Sequence, residues 1–313
     1  MRNHVKQLIL ALLLASLALS STLLAQEQSS KPAAKTVELS MIVTDSAKKS
    51  VDKIQREDVH VIEDEIEQTV VSVERDERPV DCVLAIDSSG SLRSLFAAVL
   101  ESARVIVINR RPEDEIFIER FISSDKIEKV QGFTRDGNVL TAAINSFYVE
   151  GGQSAIIDAL YVAASSFAEF KKTSRDRRRV VVIITDGEDR NSYYHQEKLL
   201  KMLHQTDVQV FALGFVIELD KESSARRPGA RDRAEKLLKT ITSETGGRVF
   251  FPRNKTELID SLQQLITDLR GQFHVTYQSS NEKKGFRKVE VKLGSASDEK
   301  RTAIVPRGYE SKL

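Results

Sequence analysis

Apolar and polar positions alternate along the first readable block of the chain, from Thr36 to about Val80. Val37, Leu39, Met41 and Val43 recur at every second place, followed by Val59 and Val61, then by Val70, Val71 and Val73. The polar run Asp45-Ser46-Ala47-Lys48-Lys49 and a charged stretch separate these groups, so the block predicts short antiparallel strands. At Asp81 the pattern changes to apolar runs spaced by amphipathic segments. Asp81 to Ile86, Ile116 to Ile122, Val180 to Thr185, Val208 to Phe215 and Arg248 to Phe251 predict strands. Between them, Ser94 to Asn109, Asn138 to Phe147, Ser154 to Lys171, His195 to Thr206, Arg233 to Thr245 and Thr256 to Arg270 carry helical spacing. Near-continuous apolar strands alternating with helices predict an α/β fold, a doubly wound and mostly parallel sheet covered on both faces. From Gln272 to Tyr309 strand alternation returns, at Phe273, Val275 and Tyr277, then Val289, Val291 and Leu293, then Ala303 and Val305.

The two flanking β segments are each short for a sheet of their own, and both adjoin the α/β domain. The ends of an inserted domain lie close together, so the flanks are expected to pair into one small β-sandwich. Residues 218–232 are polar and without periodicity, which predicts a mobile insertion after the Phe215 strand. The expected organisation is a signal peptide at 1–25, a linker at 26–35, an N-terminal β segment at 36–80, the α/β domain at 81–271 and a C-terminal β segment at 272–313.

The first 25 residues change the picture of where the chain works. Arg2 and Lys6 form a basic start, an apolar run follows, and Leu23-Leu24-Ala25 offers a small residue for cleavage. That layout is a secretory signal peptide; an uncleaved anchor is the alternative, since Leu8 to Ala25 approaches the roughly 20 residues that span a bilayer. No later apolar run is long enough to cross a membrane, so the folded part is expected outside the cytoplasm, in the periplasm, the cell envelope or the medium. The full chain has 47 Lys+Arg and 46 Asp+Glu, and loss of the signal removes two bases and no acid, giving a net charge of −1. So even a balance argues against a nucleic-acid partner. One cysteine excludes an internal disulfide and paired-cysteine zinc sites.

Candidate chemistry gathers at strand ends. The strand from Asp81 runs into Asp87-Ser88-Ser89-Gly90-Ser91, which places a carboxylate and two hydroxyls within one turn of backbone. The Val180 strand ends in Thr185-Asp186-Gly187, a second carboxylate at the same edge, and Gly151-Gly152-Gln153-Ser154 leads into a helix with a third hydroxyl. Open α/β sheets bind ligands at the carboxyl ends of their strands. Two carboxylates and three hydroxyls are hard oxygen donors, suited to Mg²⁺ or Ca²⁺ rather than zinc or copper. An octahedral Mg²⁺ held by side chains and waters would keep one position for an outside oxygen.

In this order, Asp-x-Ser-x-Ser, Gly-Gly-x-Ser and Thr-Asp-Gly-Glu-Asp resemble the metal-ion-dependent adhesion site of von Willebrand factor A-type domains, as in integrin I domains. The likeness covers roughly Val80 to Gly271 and includes Thr245-Gly246-Gly247-Arg248-Val249-Phe250. The flanks resemble related proteins secreted by acidobacteria and similar bacteria, through Glu57-Asp58-Val59-His60-Val61-Ile62-Glu63-Asp64 before the domain and Arg307-Gly308-Tyr309 at the end. The resemblance implies that Ser89, Ser91 and, in the place of a Thr, Ser154 coordinate a divalent cation, Mg²⁺ first and Ca²⁺ or Mn²⁺ as alternatives. Asp87 and Asp186 would act directly or through water. It implies a non-enzymatic binding protein whose protein partner supplies a carboxylate; a metal-dependent hydrolase using the same cation is the alternative.

Other candidates are read as structural. Cys82 lies inside an apolar strand, and His60, His195, His204 and His274 lack ligand spacing. Ser46 and Lys49 match Ser-x-x-Lys but sit in a polar turn without partner motifs. Ser89 or Ser91 could instead cap the following helix. Glu188 and Asp189 are read as adding to metal affinity or as solvated, and the basic cluster Arg175 to Arg179 as a solvated loop.

Overall fold

The computed structural model describes residues 35–170, 176–217, 219, 229–294 and 300–311. The segment read as signal peptide and nearly all of the linker lie outside the described residues, as does most of the 218–232 stretch; its last three residues open a helix.

Three strands come first: β1 (Lys35–Thr44), β2 (Val59–Glu63) and β3 (Ile66–Arg75). The α/β layer follows, built on β4 (Val80–Asp87), β5 (Glu115–Ser123), β6 (Lys126–Thr134), β7 (Arg178–Thr185), β8 (Val208–Gly214) and β9 (Val249–Phe250). Their order is β6-β5-β4-β7-β8-β9, parallel throughout except for β6, which runs antiparallel to β5. The helices are α1 (Phe96–Ile108), α2 (Gly137–Asn145), α3 (Ile156–Phe170), α4 (Gln196–Thr206), α5 (Ala230–Glu244) and α6 (Lys255–Arg270).

Side-chain alternation along the strands divides the core in two. Cys82, Leu84 and Ile86 of β4 face Val99, Ala103 and Ile106 of α1, Leu140 of α2 and Leu262 and Leu265 of α6. Val83 and Ala85 face Ile156, Leu160 and Phe167 of α3, Leu199 of α4 and Leu238 of α5. Every residue of β4 is buried, which is why the central strand reads as an unbroken apolar run. Each such Val, Leu or Ile contributes about 1.5–3 kcal/mol relative to exposure. Beyond α5 the chain must pass hard against β8 to begin β9, and Gly247 permits this: a Cβ there would run into the Val210 carbonyl.

The flanking segments do pair, through interleaved strands. With β10 (Phe273–Ser279), β11 (Gly285–Leu293), β12 (Thr302–Ile304) and β13 (Gly308–Ser311), they form a seven-stranded sheet in the order β12-β1-β10-β3-β2-β11-β13. β10 therefore lies between β1 and β3, with Val275 opposite Val73, and β11 pairs with β2, with Val291 opposite Val61. β12 also lies against β11, far from it in the strand order, so the sheet rolls around a core of Met41, Val43, Val61, Val275, Tyr277 and Val291. Glu63 sits inside this roll, its carboxylate accepting from Tyr277 Oη at 2.7 Å, Ser279 Oγ at 2.7 Å and Tyr309 Oη at 3.2 Å. The roll is tied to the α/β layer through Asp268 of α6, buried and bonded by both Ser50 and Arg248. Among the described residues no helix is long and apolar enough to cross a membrane.

Two features depart from the sequence expectations. β6 is absent from them, because a nine-residue edge strand with no fully buried position carries little periodicity. Of the cluster read as a solvated loop, Arg175 lies outside the described residues, and the three arginines that follow Asp176 bond inward. Arg177 bonds Asp81 at 2.8 Å, Arg178 is buried, and Arg179 donates to the Thr206 carbonyl at 2.8 Å.

A chain ending at residue 271 loses the strand between β1 and β3. We expect trypsin to cut it within residues 35–75 under conditions where the full chain resists there, and equal protection would contradict the interleaved sheet. Glu119 of β5 gives a pH test. It is buried, its Oε1 has no hydrogen-bond partner, and burial pushes its carboxyl well above the ordinary range. The unfolded chain releases this proton near 4.5 and the folded chain holds it, so this group costs stability progressively as pH rises above that value. Urea denaturation should find Glu119→Gln close to the wild type at pH 4 and more stable at pH 8; a difference that does not grow with pH would count against this.

Candidate functional site

β4 and β7 are parallel neighbours in register, Ile86 opposite Ile184, so Asp87 and Asp186 leave the sheet side by side at its carboxyl edge. Three loops close over them. The turn after β4 is held to β5 by Ser88 N–H donating to Phe121 O at 2.9 Å. The loop before α3 is held to that turn by Glu150 N–H donating to Ser88 O at 2.9 Å. The third loop, after β7, is pinned by Asp189, which accepts from the N–H groups of Ile156 and Ile157 at the start of α3 at 2.7 and 3.2 Å. Asp158 then takes the N–H groups of Tyr193 and Tyr194 at 2.7 and 2.8 Å.

All five residues singled out from the sequence meet here. Ser154 Oγ donates to Ser89 Oγ at 2.8 Å, and Ser89 Oγ lies 3.1 Å from Ser91 Oγ. The Ser89 N–H donates to Asp87 Oδ1 at 3.0 Å, and Ser91 acts on the Asp186 carboxyl to lower it. Asp87, Ser89, Ser154 and Asp186 are almost fully buried, while Ser91 is partly open to solvent. Ser89 does stand at the N-cap of the short 3₁₀ turn Gly90–Leu95, but its hydroxyl makes no capping bond. The capping alternative is thereby excluded for Ser89.

The electrostatics are those of a buried acidic pair, with the Arg190 charge acting on Asp186. Burial, and then the nearby Asp186 charge, push Asp87 up to about 7. Burial likewise raises Asp186, whose Oδ1 accepts from Glu188 N–H at 3.0 Å while its buried Oδ2 has no partner. Among the described residues no three Asp, Glu, His or Cys side chains gather as a metal cluster; the donors here are two carboxylates and three alcohols. That set is of the hard-oxygen kind a divalent cation takes, and an orphaned carboxylate oxygen is where added positive charge is most favourable.

Three supporting residues have roles that the sequence reading did not give them. Thr185 Oγ1 donates to Asp87 Oδ2 at 2.7 Å and accepts from Gly187 N–H at 3.1 Å, which fixes the first carboxylate from the neighbouring strand. Asp189 is not solvated but caps α3. Glu188 is buried and bonded by Arg190 at 2.8 Å.

The family model for the von Willebrand factor type A domain matches residues 81–266, over half of the chain. The chain belongs to that family. Type A domains mediate protein–protein interaction. The match runs from β4 into α6, so all five gathered residues fall inside it and the rolled sheet falls outside. Among solved structures the chain is similar to the conserved hypothetical protein BatB from Bacteroides thetaiotaomicron, at 18% identity over 61% of this chain and 98% of that one, with a TM-score of 0.47. It is also similar to an aerotolerance-related membrane protein from Bacteroides fragilis, at 19% identity over 60% and 98% of the two chains, TM-score 0.45. A von Willebrand factor type A structure from Catenulispora acidiphila shares 12% identity over 89% of this chain and 74% of that one, TM-score 0.46. Likenesses this distant carry no argument about function. No curated protein matches the chain.

Repulsion between the two acids of the type A domain has a measurable sign. With divalent cations removed, Asp186→Asn keeps the oxygen that accepts from Glu188 N–H and deletes one buried charge. At pH 8, above the value of about 7 for Asp87, it should therefore be more stable than the wild type by on the order of 1 kcal/mol. The gain should shrink as pH falls and Asp87 takes up its proton. A destabilised Asp186→Asn at pH 8 in chelator would contradict the repulsion.

Proposed function

We propose that this chain is an exported binding protein whose type A domain holds a divalent cation, Mg²⁺ first, and binds a protein ligand through an acidic side chain. Asp87, Ser89, Ser91, Ser154 and Asp186 would hold the ion. The observation that supports this most is the chain of hydroxyl contacts from Ser154 through Ser89 to Ser91, lying against two buried acids whose carboxyls burial raises. When bound, the cation supplies a positive centre that attracts an outside carboxylate, itself a hard and charged oxygen donor. The chain's own residues do the positioning: Thr185 and the Ser89 N–H orient Asp87, Glu188 N–H orients Asp186, and partly exposed Ser91 marks the open side. Export rests on the basic start and apolar run of residues 1–25.

Binding is favoured over hydrolysis because hydrolysis needs a further base or nucleophile. The acids gathered at the strand ends already belong to the donor set or, as with Glu188 and Asp189, carry hydrogen bonds to Arg190 and to the start of α3. Titration calorimetry tests the reading. Asp87→Ala, and Ser89→Ala combined with Ser91→Ala, should weaken Mg²⁺ binding by more than about 100-fold while the circular dichroism stays that of the wild type. Capture from an envelope fraction should yield a protein retained in Mg²⁺ and released by chelator. Unchanged Mg²⁺ affinity in the variants would end the proposal. Turnover of phosphate or ester substrates that Asp87→Ala removes would replace it with the hydrolase.

A further inference from the structure

The opposite end of the α/β sheet, where β4 and β7 begin, carries a cleft of the reverse charge. Its volume is about 40 Å³, room for about three waters or one small polyatomic anion. Four arginines line it against a single acid: Arg110, Arg111, Arg178, Arg270 and Asp114. Arg178 is only 5% exposed. It donates once, to the Leu269 carbonyl at the end of α6, and Asp76 stands 3.7 Å from its Nε. Its Nε and Nη1 have no hydrogen-bond partner. Arg110 gives its two terminal nitrogens to the carbonyls of Val107 and Arg135, leaving Nε buried and unpartnered. Arg270, half-buried in the last turn of α6, makes no hydrogen bond or ion pair among the described residues.

The acids nearby do not balance this charge. Asp114 accepts from the N–H groups of Val80 and Arg111, at 2.7 and 2.9 Å. Asp76 is held by Arg78 at 2.7 Å, and Glu77 lies 3.3 Å from Arg111. Counting these neighbours still leaves two more positive groups than negative ones. The walls beside Arg178 are apolar, formed by Val80, Cys82, Ile116 and Ile266. Unmatched guanidinium N–H groups in such surroundings cost stability that a bound anion would offset. Guanidinium forks match the geometry of tetrahedral and trigonal oxyanions.

We propose that this cleft is a binding site for a small inorganic oxyanion of the phosphate or sulfate kind, held by Arg178 and Arg270. The site is separate from the donor set at the other end of β7.

Thermal unfolding of the full chain in chelator tests this, with sodium phosphate, sulfate or chloride supplied at equal ionic strength. Phosphate and sulfate should each raise the Tm beyond chloride. Arg270→Ala has no bond to lose, so it should keep the ligand-free Tm and weaken the phosphate Kd about tenfold, the loss of one charge-assisted contact. Arg178→Met should abolish the effect; should it not fold, Arg270→Ala decides alone. A phosphate response no larger than that of chloride, as water filling the cleft would give, overturns the proposal. So does a response that Arg270→Ala leaves unchanged.

Discussion

Asp87 ends β4, Asp186 follows the adjacent parallel strand β7, and both carboxyls are buried. Neither acid can swing away, because each is fixed from outside itself. Thr185 and the Ser89 N–H hold Asp87, and the Glu188 N–H holds Asp186. The result is a pair of carboxyl groups driven above their ordinary range by burial and, for Asp87, by its neighbour. Such an arrangement persists only where the surrounding structure determines it, and local rule-breaking of this kind marks functional sites.

The rest of the molecule supplies that determination. Two apolar layers, one on each face of the sheet, hold β4 and β7 in register over their whole length. The three loops over the acids are bonded to one another and to the N-terminal turn of α3, so Ser154 arrives beside Ser89 although 65 residues separate them. The rolled sheet packs against the layer through Ser50, Asp268 and Arg248, which ties α6 down along its buried side. Charge is sorted along β7, with buried guanidinium N–H groups lacking hydrogen bonds at its start on Arg178 and a carboxylate oxygen lacking one past its end on Asp186.

Much of this is legible in the residues themselves. Strands buried on both faces appear as unbroken apolar runs, and helices with one buried stripe show their period, so the alternation that defines the α/β layer is local information. The donor set is legible because Asp87, Ser89 and Ser91 fall within one turn, and Asp186 follows a second apolar strand. What is not legible depends on distant partners. β6 is an edge strand with no buried side, and the placing of β10 between β1 and β3 joins segments some 200 residues apart. Asp189 reads as one acid in a charged run, and only the start of α3 reveals it as a cap. Arg178 reads as part of a basic loop because nothing local signals that its side chain turns inward beneath α6.

The central claim is that the buried carboxylates and the three hydroxyls share one cation. The most direct measurement is an anomalous difference map from crystals grown with Mn²⁺. The account predicts one strong peak in contact with Ser89, Ser91 and the Asp186 side, absent from crystals of Asp87→Ala. A map with no peak at the carboxyl ends of β4 and β7, or with its peak on acids elsewhere on the surface, would contradict it.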